Sequence, residues 1–291
     1  MGRPEFPAGP PQGELAPSGG SDPRSGGAWG QPIQWNAEAI WEAVYPLLPA
    51  FTVEVLPEID STNTELMRRA RAGQLDPVLL VAERQSAGRG RLGRDWQSAA
   101  QDQQPNLTFS LGLPLALTDW SGLSLAVGLA VVQSLHADLR LKWPNDVWLD
   151  GRKLAGILIE TASVGDVRYA VIGIGINIAP CDAEGLRTPP AALSELWPEA
   201  TAPLVLTRVV LPLVHALRAF EREGFAPLRA AFHTRDLLYG HEVVCSDGLV
   251  GMARGVDASG ALLVHTDQGL KKISSAEVSV RPTARPAAPT S

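Results

Sequence analysis

The sequence predicts an α+β protein: a central mixed sheet with helices over residues 33–237, then a small antiparallel β-barrel over 238–282. Three observations predict it. Apolar residues recur with helical and strand periods in turn through the first two hundred ordered positions. After Tyr239-Gly240 the texture changes to short apolar runs at even spacing. Those runs are punctuated by Asp247-Gly248, Ser259-Gly260 and Gln268-Gly269, which are turn dipeptides.

The elements follow in order. Residues 1–32 are dominated by Pro, Gly, Ala and Ser without a period, and read as a disordered tail. Ala37–Leu48 reads as a helix with Ile40, Trp41, Val44 and Leu47 on one stripe. Thr52–Leu56 alternates like a strand. Ser61 to Ala72 reads as a helix opened by a Thr62/Glu65 capping box. Val78–Glu83 and Leu107–Leu113 read as buried strands, and Leu123–Leu139 as an apolar helix under the sheet. Four more strands follow: Leu139–Trp143, Val147–Leu149, Leu154–Thr161 and Arg168–Ile178. Leu204–Glu223 and Ala226–Arg235 are helices. The barrel strands are Val243–Cys245, Leu249–Val256, Leu262–Thr266, Lys271–Ile273 and Val278–Arg281, with a second loose tail over 283–291.

Composition narrows the function classes. The chain has 291 residues, enough to bury a real core. With 25 basic and 31 acidic residues its net charge is −6, which argues against a general nucleic-acid or anionic-membrane binder. The only cysteines are Cys181 and Cys245, without metal spacing or a disulfide framework, which fits a reducing, cytoplasmic compartment. No signal pattern opens the chain and no run approaches about 20 apolar residues, so no membrane partner is expected. Of the 25 basic residues only Lys142, Lys153, Lys271 and Lys272 are lysines, which draws the eye to each.

Four segments carry chemistry. Gly88-Arg89-Gly90-Arg91-Leu92-Gly93-Arg94-Asp95-Trp96 is a loop that can present backbone N–H groups and bidentate guanidinium donors to phosphate, with Trp96 as a lid. Read by itself it is also a solvated basic loop or an arginine/glycine RNA-binding stretch. Ordering nine residues takes on the order of 10–18 kcal/mol of backbone entropy, so this loop is expected to be mobile when empty and ordered by an anionic ligand. In Lys142-Trp143-Pro144-Asn145-Asp146 the proline ends a strand and leaves Asn145 and Asp146 at an edge. There a carboxylate can hold Mg²⁺ with phosphate oxygens or orient an amine; an Asx turn explains the pair equally well. Later in this same segment Lys153 opens an otherwise apolar strand, and Gly156, three residues on, leaves room beside it for a carboxylate or α-phosphate; the alternative is a snorkelling lysine. Ser61-Thr62-Asn63, with Gln85, can read a small polar head group besides capping a helix. Gly173-Ile174-Gly175-Ile176-Asn177 lies in a strand pattern and is no dinucleotide fingerprint; its glycines allow close approach to the sheet.

In order and spacing, these segments together resemble the biotin protein ligases, the biotin–acetyl-CoA-carboxylase ligases. The resemblance runs over about residues 50–281. It implies a biotin/lipoate ligase-like catalytic domain, an SH3-like C-terminal barrel, and an ATP-dependent ligase that makes biotinyl-5′-AMP and transfers biotin to a lysine of the biotin carboxyl carrier protein. It further implies that Ser61, Thr62, Asn63 and Gln85 hold the ureido ring, and that Arg89, Gly90 and Arg91 close over biotin and its adenylate. Lys153, beside Gly156, contacts the carboxylate and α-phosphate. Asn145, Asp146, Arg94 and Asn177 serve nucleotide, Mg²⁺ or amine, and Trp96 covers the pocket. Asp146 is the candidate metal ligand, and Lys153, Arg91 and Asp146 are the candidate catalytic set. Leu92 departs from the family, many members of which carry a further basic residue there. Bifunctional members carry an N-terminal DNA-binding domain; residues 1–32 do not suit one, so a monofunctional enzyme without a DNA partner is expected. The resemblance leaves a homodimer as one of the allowed assemblies.

Overall fold

A computed structural model describes residues 33–93, 96, 106–180, 190–246, 248–274 and 281–282. The two expected tails, Arg94, Cys181 and most of the expected strand at Val278–Arg281 lie outside these. Twelve strands and five α-helices are described, in the order α1 (Ala37–Val44), β1 (Thr52–Ile59), α2 (Thr62–Arg71), β2 (Val78–Gln85), β3 (Asn106–Pro114), α3 (Leu123–Leu135), β4 (Arg140–Lys142), β5 (Asp146–Leu149), β6 (Arg152–Val164), β7 (Val167–Asn177), α4 (Ala202–Glu223), α5 (Arg229–His233), β8 (Glu242–Val244), β9 (Val250–Val256), β10 (Leu262–Thr266), β11 (Gly269–Ile273) and β12 (Arg281–Pro282).

The first seven strands form one mixed sheet in the order β1-β2-β3-β7-β6-β5-β4, with β1 and β2 parallel and the remaining pairs antiparallel. Successive side chains of a strand point to opposite faces, so each strand sorts its residues between two environments. One face carries Leu66, Met67 and Ala70 of α2 against Val78, Leu80, Ala162, Tyr169 and Val171. The other carries α3, whose Gly128 lies against Leu141 and Ile157. Helix α4 packs on α3 and β3. It is long and apolar enough to cross a bilayer, yet it buries Val205, Leu206, Val209, Val210, Leu213, Val214, Leu217 and Phe220 inside the fold.

The C-terminal strands form a five-stranded antiparallel sheet in the order β11-β10-β9-β8-β12, open between its two edge strands among the described residues. Both sheets belong to one compact unit. Trp143 Nε1 donates to Gly260 O at 3.0 Å, tying the end of β4 to the small sheet. Leu237 N donates to Leu141 O at 2.9 Å. Asp236 sits at this junction with Oδ1 accepting from Leu238 N at 2.9 Å and Oδ2 buried without a partner.

Two local expectations are corrected. Trp41 faces outward, 41% exposed, because its indole N–H reaches Phe51 O at 2.9 Å; Ile40, Val44 and Leu48 fill the core instead. Helix α2 is capped by Ser61, whose hydroxyl accepts from Thr64 N at 3.4 Å, and not by a Thr62 capping box. Glu65 turns away to Arg68 and Arg69, which frees Thr62 for other partners.

Candidate active site

The site is built on the α2 face of the sheet, where the strand alternation places small or polar residues. Register sets Ser110 of β3 opposite Gly173 of β7, Gly175 opposite Gly156 of β6, and Asp146 of β5 opposite Gly156. A trough of glycines runs across β6 and β7, and polar side chains from α2 and the loops bound it. Gly173 has no room for a side chain: a Cβ would overlap Asn63 Oδ1 and lie 2.8 Å from its Cγ. At Gly175 a Cβ would run into the Trp96 indole.

One cavity is lined by Ser61, Thr62, Asn63, Gln85, Arg89, Gly90, Arg91, Trp96, Asn145, Lys153, Gly156, Gly173 and Gly175, together with Thr108, Phe109, Ile157, Leu158 and Ile174. At one end, Gln85 Oε1 accepts from Thr62 N at 2.8 Å, which directs its Nε2 the other way. Ser61 and Thr62 start α2 beside it, both buried. At the mouth, Trp96 N donates to Gly88 O at 2.9 Å and closes the base of the arginine loop, with Arg91–Gly93 as one 3-10 turn. Arg91 donates to Asn145 Oδ1 at 3.3 Å, and Asn145 Nδ2 donates to Ile157 O at 2.8 Å. Trp96 lies over Gly156 and Gly175 with its indole N–H buried and without a partner. Lys153 Nζ is 6.0 Å from its ring centroid.

Lys153 is placed by the start of β6, which a neighbouring segment clamps. Ala191 N donates to Lys153 O at 2.9 Å. Arg152 pairs with Glu195, whose carboxyl is held below the usual carboxylate range chiefly by that guanidinium. The Lys153 ammonium is 2.8 Å from Asp146 Oδ1. Asp146 therefore meets the cavity through Lys153 and does not line it. Asn177 does not line it either: its amide donates to Ala191 O at 3.2 Å and Lys153 O at 3.4 Å, bracing the same segment. Arg94 lies outside the described residues. The sequence reading missed Thr108, Ser110 and Glu160, which the sheet register brings beside Asn63 and the arginine loop. Polar residues at alternate positions of the otherwise apolar β3 were the available signal.

The chain is similar to known proteins over most of its length. The model of the biotin/lipoate A/B protein ligase family matches residues 55–177, and that of the biotin protein ligase C-terminal domain matches residues 242–281. A bifunctional ligase/repressor BirA of Salmonella typhimurium is 36% identical over 82% of this chain and 78% of its own length.

The chain belongs to the biotin protein ligase family.

Other biotin protein ligases are similar over comparable spans. A biotin–acetyl-CoA-carboxylase ligase of Mycobacterium tuberculosis is 34% identical over 78% of this chain and 88% of its own. The biotin protein ligase of Aquifex aeolicus, solved in complex with biotin and ATP, superimposes with a TM-score of 0.66 at 29% identity, covering 79% of this chain and 99% of that one.

Proposed function

We propose that this protein activates biotin with ATP, as biotinyl-5′-AMP, and transfers the biotinyl group to a specific lysine of a biotin carboxyl carrier protein. The observation that carries the reading is that Lys153 and Arg91 share one cavity with Ser61, Thr62 and Gln85. One end suits an uncharged, hydrogen-bonding head group; the other suits a carboxylate and a phosphate.

In the first step a biotin carboxylate oxygen bonds to the α-phosphorus of ATP, the bond to the bridging oxygen breaks, and pyrophosphate leaves. Negative charge builds on the phosphoryl oxygens, and a preplaced ammonium and guanidinium stabilise it. Lys153 fills the first role, held ready by Asp146. Arg91 fills the second, held by Asn145. Gln85, with its Nε2 turned away from Thr62, and the Ser61 hydroxyl face the ureido oxygen; Asn63 forms the floor. Arg89 and Gly90 close the mouth, Arg94 adds charge to the same loop, and Trp96 covers the ligand. Asn177 keeps the Lys153 strand in place. In the second step a lysine ε-amine attacks the acyl carbon, AMP leaves, and the amine gives up a proton.

Magnesium enters as part of MgATP. The donor set fits that role: Mg²⁺ is commonly held by one or two carboxylates plus substrate phosphates. Asp146 would be the carboxylate, reaching the cavity from beside the Lys153 ammonium it pairs with, and no resident cluster of three His, Cys, Asp or Glu groups is found among the described residues. We assign catalysis to residues 33–237, treat 238–282 as an accessory domain, and place the reaction in the cytoplasm. The test is pyrophosphate release from MgATP, with the acid varied. Biotin stimulates it and lipoate does not; stimulation by lipoate alone overturns the reading.

A further inference from the structure

We infer that Glu160 is a positioning residue for the head-group end of this cavity and for the loop that closes it; the inference rests on the function proposed above. Glu160 stands on β6 with its side chain 22% exposed, and its two carboxylate oxygens have different partners. Oε2 accepts from Asn63 Nδ2 at 3.0 Å, and Oε1 accepts from Arg89 Nη2 at 3.2 Å. One carboxylate thus joins the pocket floor to the arginine loop.

The consequence for the floor follows from counting protons. Asn63 is 4% exposed, and Nδ2 carries two hydrogens. They go to Glu160 Oε2 and to Leu158 O at 3.2 Å. That fixes the amide, so Oδ1 faces Ser110 Oγ at 2.6 Å. A carbonyl oxygen only accepts, so the single proton of the fully buried Ser110 hydroxyl is committed to Asn63. Ser110 Oγ, 2.7 Å from Thr62 Oγ1, therefore accepts from it, and this short contact takes the one Thr62 hydroxyl proton in preference to Gln85 Oε1, which stands 3.2 Å away. The Thr62 hydroxyl proton points inward, and its oxygen lone pairs are left to accept from a donor in the cavity. A ureido N–H is such a donor. Glu160 thereby sets the hydrogen-bond polarity of Thr62 three links away, and holds Arg89 over the same end.

The roles separate by variant. Glu160→Gln keeps the shape but has one acceptor oxygen for two donors. Its biotin KM should rise about tenfold, the loss that accompanies one hydrogen bond to a charged group, with KM for ATP and kcat near wild type. Glu160→Ala should raise biotin KM further and also release biotinyl-AMP faster, because Arg89 loses its charged tether and keeps only the 3.3 Å contact of its Nη1 with Thr64 Oγ1. Ser110→Ala should raise biotin KM without faster release, since it breaks the floor and leaves the Arg89 contact. Steady-state pyrophosphate release and the dissociation rate of preformed biotinyl-AMP read these effects, with thermal melting alongside. If Glu160→Gln and Glu160→Ala both keep wild-type biotin KM, or lose only melting temperature, the inference is wrong. If the wild-type protein makes no biotinyl-AMP, the function itself fails, a result distinct from the first.

Discussion

Lys153→Ala tests the division between holding the fold and driving the chemistry. In the free protein Lys153 Nζ contacts Asp146 Oδ1 at 2.8 Å, with side chains 40% and 21% exposed. An ion pair so open to water contributes about 0–1 kcal/mol, so its loss should lower Tm by no more than about 4 °C. The transition state is different. Charge develops on the phosphoryl oxygens where the ammonium already stands, and removing one preplaced donor of this kind typically costs about 3 kcal/mol, or 10²–10³-fold in kcat. Lys153→Arg should fall between, because a planar fork cannot replace a compact ammonium between Asp146 and Gly156. The assay is biotin-dependent pyrophosphate release at saturating biotin and MgATP, with thermal melting on the same samples. Lys153→Ala turning over within tenfold of wild type would refute the assignment. So would a collapse of Tm large enough to explain the lost activity.

Three further outcomes are expected. Arg91→Gly removes the guanidinium that bonds Asn145 and should let biotinyl-AMP escape, raising biotinylation of lysines on a bystander protein; streptavidin blotting with unchanged selectivity counts against it. Gly173→Ala drives a methyl into the Asn63 amide and should cost about 1–3 kcal/mol in urea unfolding, together with a higher biotin KM. Burial at the sheet junction raises the Asp236 carboxyl from 3.8 to about 6, against the opposing pull of the backbone N–H groups of Leu238 and Tyr239 and of His233 and His241. A raised acid binds more protons folded than unfolded between those values, so this group makes stability fall as pH rises from about 4 to 6 and stay lowered above, by about 3 kcal/mol. Asp236→Asn should therefore gain about that much on wild type in going from pH 4 to pH 8; a difference that does not change with pH removes the argument.

Much of the fold was legible because the buried sheet writes its period into the sequence. The strands from Val78 to Asn177 follow the apolar runs read there, and the turn glycines after Gly240 mark the small sheet. The errors came from side chains with two ways to be satisfied. Trp41 was assigned to the core by spacing, but its indole N–H has a carbonyl partner at the surface. Thr62 and Glu65 have capping-box spacing, but Ser61 takes the cap. The site was legible as four segments whose residue types suit one ligand. Its assembly was not, since strand register decides it. Glu160 and Ser110 lie 50 positions apart, yet β3 and β6 flank β7, and α2 brings Asn63 between them. Asn177 was assigned to the nucleotide by the resemblance, on a strand whose glycines allow close approach to the sheet. The neighbouring Ala191 carbonyl claims its amide instead.

The central claim is that the amide-lined end and the cationic end of one cavity hold a single molecule, biotin joined to AMP. Native mass spectrometry of the purified chain after incubation with biotin and MgATP tests it most directly. The account predicts one biotinyl-AMP retained per chain, absent when either biotin or ATP is left out and discharged as free AMP on addition of a biotin carboxyl carrier domain. A chain that binds biotin and nucleotide only as separate, unjoined ligands would contradict it.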